Sequence, residues 1–197
     1  MTVKVAVIYY SATGSVHALA QALADGAKET GADVRLRRVA ELAPDSAIHE
    51  WHEHIPEATV EDLAWADAFA FGTPTRFGTP AAPLKQFIDQ TAALWKEGGL
   101  ADKPVTAFTS AYNRHGGSEA TLLSLGNVFY HWGALIVPPG YTDPAVYAAG
   151  GNPYGTSFVA SGTDGGPDAA ALDAARYQGR RLAQVTIRLN DRVAQLA

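Results

Sequence analysis

Val3–Tyr10 is an almost unbroken apolar run, and Ser11-Ala12-Thr13-Gly14-Ser15 follows it directly. A run of that kind is buried on both faces, the condition of a strand inside a parallel sheet. Val16, Leu19, Ala20, Leu23 and Ala27 then fall at i, i+3, i+4, i+7 and i+11, the stripe of an amphipathic helix that ends near Gly31. The order strand, short turn, helix recurs along the chain. It restricts the fold to an α/β class with helices on both faces of a parallel sheet.

Asp33–Val39 alternates Val34, Leu36 and Val39 with arginines and reads as a shorter, more exposed strand. Residues 40–59 have no periodicity and read as a surface excursion. Val60–Trp65 is expected to be a short helix and Ala68–Phe71 a third, buried strand. Thr79-Pro80 reads as the opening of another helix, with threonine at the cap and proline where its missing N–H is harmless. That helix carries Leu84, Phe87, Ile88 and Thr91. Val105–Thr109 is the fourth strand. A helix from about Ser118 to His131 presents Leu122, Leu125 and Phe129, and Ala134–Val137 is the fifth strand, stopped by Pro138-Pro139. Of residues 138–167, 12 are Gly or Pro, but Tyr141, Tyr147, Tyr154 and Phe158 favour an ordered loop. A last helix, roughly Asp168–Leu189, shows Leu172, Ala175, Leu182, Val185 and Leu189. No repeat or second domain is visible, so residues 1–197 are expected to form one domain that contains the 138–167 loop.

Composition narrows the chemistry. There is no cysteine, which removes thiol nucleophiles, disulfides, Cys-ligated zinc and iron–sulfur clusters; redox work would need a bound organic cofactor or a non-cysteine metal site. With 47% hydrophobic and 18% charged residues and a formal net charge of −5, the chain is neither disordered nor an electrostatic binder of nucleic acid. No apolar run approaches the roughly 18 residues of a membrane span. The first strand begins at Val3 without a secretory pattern, so a cytoplasmic location is expected.

In open α/β sheets ligands bind beyond the carboxyl ends of the strands. Three loops therefore carry the functional reading. After strand one, Ser11, Thr13 and Ser15 add hydroxyls to the free N–H groups of a helix N-terminus, a donor set suited to a phosphate monoester. The same residues also suit an ordinary helix cap and glycine turn. The loop has no Walker lysine and no G-x-G-x-x-G, so neither an NTPase loop nor a Rossmann dinucleotide site is supported. After strand three, Phe71-Gly72-Thr73-Pro74-Thr75-Arg76-Phe77-Gly78-Thr79-Pro80 can present rigid backbone to a flat ligand, with the Thr75 hydroxyl and the Arg76 charge beside it. After strand four, Ser110-Ala111-Tyr112-Asn113-Arg114-His115-Gly116-Gly117-Ser118 combines an aromatic, an amide and a cation, a wall that stacks on a ring and reaches a polar edge. Each of these two loops could also be an ordinary surface connection.

Together the loops resemble those of the flavodoxin-like WrbA-type NAD(P)H:quinone oxidoreductases, which use FMN. The similarity spans nearly the whole chain. It includes Tyr9-Tyr10-Ser11-x-x-Gly14, Phe71-Gly72-Thr73-Pro74-Thr75-Arg76-Phe77-Gly78, Asp89-Gln90-Thr91 with Leu94-Trp95, Ile136-Val137-Pro138, Pro153-Tyr154-Gly155 and Ala175-Arg176-Tyr177-Gln178-Gly179. The resemblance implies a flavodoxin-like, doubly wound, five-stranded parallel sheet of order 2-1-3-4-5. It implies that Ser11, Ala12, Thr13, Gly14, Ser15 and Val16 hold the FMN phosphate. Pro74, Thr75, Arg76, Phe77 and Gly78 would line the isoalloxazine. Ser110, Ala111, Tyr112, Asn113, Arg114, His115 and Gly116 would follow its polar edge, and His131 would reach the flavin region. Trp95 would form the wall where quinone and nicotinamide alternate, with Thr13 as a further substrate contact. Family members are described as tetramers with FMN near subunit contacts, so a homo-oligomer, dimer or tetramer, is implied. Two departures stand out: Thr13 replaces a tyrosine common in the family, and Ala111–His115 replaces a Gly-rich loop and is one residue longer.

The expected function is then FMN-dependent two-electron reduction of quinones by NAD(P)H, in ping-pong fashion, with no side chain as nucleophile. A flavodoxin-type electron carrier serving a protein partner is the alternative, and an interaction protein on a vestigial fold a third. His49-Glu50-Trp51-His52-Glu53-His54 invites a metal reading, but zincin spacing needs histidine at position 53 and the chain has Glu53. A solvated surface segment is expected there, with no metal site. His131 alone reads as a helix-end histidine and Trp95 as a core residue.

Overall fold

The computed structural model describes residues 2–42, 54–161 and 166–196, with side chains placed as far as residue 192. In chain order the elements are β1 (Lys4–Tyr9), α1 (Ser15–Lys28), β2 (Asp33–Arg38), α2 (Val60–Trp65), β3 (Ala68–Arg76), β4 (Thr79–Pro80) and α3 (Ala82–Asp89). There follow α4 (Ala92–Lys96), β5 (Pro104–Ala111), α5 (Ser118–Trp132), β6 (Leu135–Ile136), α6 (Pro144–Ala148), β7 (Ser157–Val159) and α7 (Ala169–Leu196). The strands β2-β1-β3-β5-β6 lie side by side and parallel, which is the expected 2-1-3-4-5 order. Two short strands complete a sheet of seven: β4 folds back antiparallel on β3, and β7 runs parallel to the end of β5.

Side chains alternate across the sheet with the period of two that a strand imposes. Val5, Val7 and Tyr9 of β1, Ala68 and Ala70 of β3 and Phe108 of β5 pack against α1 and α7. Ala6, Ile8, Phe69, Phe71, Val105 and Ala107 face the opposite way, into a core shared with α3 and α5. The uninterrupted apolar runs of the sequence are thus buried on both sides of the sheet.

Helices α1 and α7 approach to backbone contact. A Cβ on Gly26 would stand 1.8 Å from the Arg176 carbonyl oxygen, and one on Gly179 would stand 1.9 Å from that of Leu23. The two glycines face each other's helices and permit a distance that no side chain allows. This explains the glycine ending Ala-Arg-Tyr-Gln-Gly in physical terms.

The residue before it closes a gap in the sheet. β6 pairs with β5 only at Pro104 and Val105, and β7 only from Thr109 onward. Between them the buried side chain of Gln178 donates to Thr106 Oγ1 (2.6 Å) and the Ala107 carbonyl (2.8 Å) and accepts from Thr156 N–H (2.8 Å). Gln178 thus replaces a missing rung of the backbone ladder, and all of its bonds are to buried partners.

Three elements differ from expectation. The third strand runs on to Arg76 because β4 pairs with its end, and Thr79-Pro80 belongs to that hairpin rather than to a helix. The cap of α3 is Ala81, with a proline in the first turn. The 138–167 segment contains α6 and β7, so its described part is ordered by a helical turn and by sheet pairing.

Gly179→Ala tests the helix contact. Alanine is the better helix former by about 1 kcal/mol, yet the added methyl meets a carbonyl that cannot rotate away. A net loss of about 2 kcal/mol is expected, read as a lower urea midpoint with an unchanged slope.

Candidate active site

The parallel register brings the three loops to the same end of the sheet. Tyr10 N–H donates to the Gly72 carbonyl at 2.9 Å, and Pro74 stands opposite Ser110 in the β3–β5 ladder. Loop residues after β3 and β5 then touch directly: a Cβ on Gly117 would lie 2.8 Å from Gly78 Cα. Gly117 is also the N-cap of α5 with φ +92°, a conformation that favours glycine.

In the first loop Ser11 is buried, and its Oγ accepts from the N–H groups of Gly14 and His17, both at 3.2 Å. Two accepted bonds leave the hydroxyl proton as the group Ser11 can still offer. The N–H groups of Ser15 and Val16, in the first turn of α1, have no helical acceptor and join it. Hydroxyl, helix N–H groups and dipole form a donor set that fits a phosphate dianion without a cation in the loop. Thr13 is exposed at the loop's outer side, with Ala12 and Gly14 half-buried. Sequence reasoning missed the support beneath this loop. Tyr9 Oη and His17 Nδ1 share a hydrogen bond of 2.5 Å, and burial pushes the Tyr9 phenol far above its ordinary range, which keeps it protonated. Tyr9 ends an apolar run and His17 follows on an apolar helix face; neither has a spacing that marks it.

The second loop is a β-hairpin. Phe77 (φ +51°) and Gly78 (φ +77°) form its tip, and the Phe77 side chain is fully exposed with a left-handed backbone that costs free energy in a non-glycine residue. Thr75 does not aim its hydroxyl proton outward. Thr109 Oγ1 donates to the Thr73 carbonyl (2.7 Å), so the 3.0 Å bond between Thr75 and Thr109 is donated by Thr75. Thr73 in turn donates to the Pro74 carbonyl and accepts from Ala81 N–H. The threonines lock the hairpin base, and backbone groups are what this loop presents. Arg76 is exposed, bonded to the Thr75 carbonyl at 3.4 Å. Tyr10, half-buried, donates to Glu41 at 3.0 Å. Burial chiefly raises its phenol, Glu41 adds to this, and the Arg76 charge opposes it.

In the third loop Ser110 and Ala111 are buried strand residues, while Tyr112, Asn113, Arg114 and His115 are exposed and Gly116 is half-buried. Trp95 and His131 are not with these loops. The indole N–H of Trp95 donates to the His131 carbonyl at 2.9 Å, and both line a cleft of about 340 Å³ with Ile88, Ala92, Val128 and Trp132. α5 starts at the loop end of the sheet and His131 lies in its last turn, about 20 Å away at 1.5 Å per residue. Within one chain both residues thus lie away from the three loops. Of the histidine-rich segment, residues 49–53 lie outside the described residues. Among the described residues no group of three or more metal-ligating side chains is assembled.

Residues 3–144 match the family model described as NADPH-dependent FMN reductase. The chain belongs to the NADPH-dependent FMN reductase family. It is 42% identical over 200 residues to "NAD(P)H dehydrogenase (quinone)" of Deinococcus radiodurans, covering 95% of this chain and 97% of the relative. It is 44% identical over 193 residues to "NAD(P)H dehydrogenase (quinone) 3" of Rhizobium meliloti, covering 92% and 91%. Among solved structures, the flavodoxin, WrbA-like protein from Agrobacterium tumefaciens superposes with a TM-score of 0.71 at 26% identity, covering 95% of this chain and 99% of the other. A flavodoxin from the domain Archaea, at 19% identity and TM-score 0.64, shares the fold. Among the described residues no helix is long and apolar enough to cross a membrane.

Thr109→Val keeps the volume but removes the hydroxyl that joins β3 to β5. It is expected to cost about 1–3 kcal/mol, because the buried Thr73 carbonyl loses its donor; chemical denaturation measures it.

Proposed function

We propose that the chain is an FMN-dependent NAD(P)H:quinone oxidoreductase that reduces quinones to hydroquinones by two electrons, in ping-pong fashion. The observation that carries the reading is the convergence of a phosphate-type helix N-terminus with two rigid backbone edges, linked at Gly78 and Gly117. Bound FMN would supply the two-electron redox chemistry, by which NAD(P)H, one proton and quinone give NAD(P)+ and hydroquinone.

The chain's own residues supply anchorage and shape. Ser11 Oγ–H, the Thr13 hydroxyl and the N–H groups of Ser15 and Val16 hold the phosphate, with Ala12 and Gly14 keeping the loop close. Pro74–Gly78 offers backbone donors and acceptors along the ring, stiffened by the threonine lock. Ser110–Gly116 follows the polar edge, where fixed donors stabilise charge developing on the reduced ring. No side chain acts as a nucleophile.

Trp95 and His131 enter in trans. Their exposed cleft, the helix length separating them from their own loops, and the uncovered Phe77 all support a homo-oligomer, dimer or tetramer, in which one copy's cleft covers another copy's flavin. The same reading puts the enzyme in the cytoplasm, where reduced nicotinamides are held, with small molecules rather than nucleic acid or membrane as partners.

The purified protein is expected to show a flavin absorbance spectrum and to consume NADPH when benzoquinone is added. A flavodoxin-type carrier would be equally yellow but leave NADPH unconsumed, and a colourless protein unaffected by FMN titration would end both readings. Ser11→Asp with Thr13→Asp puts carboxylates at the phosphate position and is expected to abolish flavin retention, read by absorbance after desalting. A second experiment tests the sharing of residues. That double variant and Trp95→Ala should each be weakly active alone, and co-assembly of the two should restore turnover. No recovery would place Trp95 outside the neighbour's site.

A further inference from the structure

The tip of the loop after β5 carries charge that the rest of the chain does not use. Gly116 N–H donates to the Asn113 carbonyl at 2.9 Å, which makes residues 113–116 a tight turn with Arg114 and His115 at its two central positions. Both side chains are exposed. The base of the turn is fixed, since the Tyr112 carbonyl accepts from Ser161 N–H at 2.8 Å and Gly117 backs onto Gly78. The ring of Tyr112 is nonetheless 72% exposed, a flat aromatic surface on an anchored backbone.

Five of the ten described arginines are matched by carboxylates: Arg35 and Arg37 by Asp62, Arg38 by Glu57, Arg176 and Arg180 by Glu29, each within 3.4 Å. Among the described residues Arg114 has no such match, and Arg76 on the facing hairpin is bonded only to the Thr75 carbonyl. Two of the five guanidinium groups without a carboxylate thus stand on the two loops that touch, and the other three, Arg181, Arg188 and Arg192, lie on α7. Of the acids nearby in sequence or contact, Glu41 is taken by the Tyr10 hydroxyl, and Glu119 lies in the first turn of α5. On a chain of net charge −5, exposed guanidinium groups without a carboxylate partner, carried on two touching loops, mark a place for an anion.

We infer that Arg114 and His115 seat the 2′-phosphate of NADPH, with Tyr112 as a stacking surface for its adenine, so that this turn sets the preference for NADPH over NADH. The inference rests on the reading above that a nicotinamide dinucleotide is the reductant. With the nicotinamide in the slot over the flavin, the rest of the dinucleotide has to leave across a loop edge. A phosphate monoester is a dianion with three acceptor oxygens, and a guanidinium fork meets two of them at once. NADH offers a neutral hydroxyl at that position.

The test uses the FMN-loaded protein and its Arg114→Gln/His115→Gln variant, titrated by calorimetry with adenosine 2′,5′-bisphosphate and with adenosine 5′-monophosphate. The native protein should prefer the bisphosphate, and the variant should lose roughly tenfold of that preference. The preference should also shrink as salt is raised. The ratio of kcat/KM for NADPH to that for NADH should fall in parallel. A preference and a ratio unchanged within about twofold would overturn the inference. If the native protein oxidises neither nucleotide, the function reading fails, and the calorimetric preference then decides the inference by itself.

Discussion

The parallel ladder through β1, β3 and β5 is the constraint on which the site depends. Its register fixes the height at which each strand ends, and with it the level at which three loops leave the sheet. A slip of one residue would turn every side chain to the wrong face, exchanging Tyr9 and Phe108 for Ile8 and Ala107 in the two cores. The burial of both faces therefore protects the alignment of the loops. The site inherits its precision from core packing rather than from contacts of its own.

Much of this was legible in the sequence because buried parallel strands and amphipathic helices have distinct periods. Val3–Tyr10 and the Val16–Ala27 stripe could be read from composition and spacing, and the strand order followed from the family likeness. The hairpin at Thr75–Pro80 was not legible, since Thr-Pro before an apolar stripe is as good a helix opening as it is a strand return. Its pairing is tertiary. The part of Gln178 was hidden for the same reason: a glutamine on a helix stripe gives no sign that its amide will meet three buried partners on β5 and beside β7.

The candidate site shows the same division. Ser11 through Val16 were identifiable because helix N-termini and hydroxyls have a chemistry independent of context. Thr75 was assigned an outward hydroxyl, which the chain through Thr109 to the Thr73 carbonyl turns inward. Trp95 and His131 were assigned to the flavin region by likeness alone, and in the fold they meet each other at the far end of α5. No single-chain sequence pattern distinguishes a residue that serves its own site from one that serves a neighbour's.

The amide that bridges the break between β6 and β7 has a consequence for how this protein can vary. The span from Val137 to Gly155 leaves the sheet and returns to it without supplying the rung it skips, because α7 supplies that rung from behind. Natural or engineered changes in the length of this excursion can therefore accumulate without opening the β5 edge to another strand. Gln178 makes the detour a tolerant place for new surface along the β5 edge.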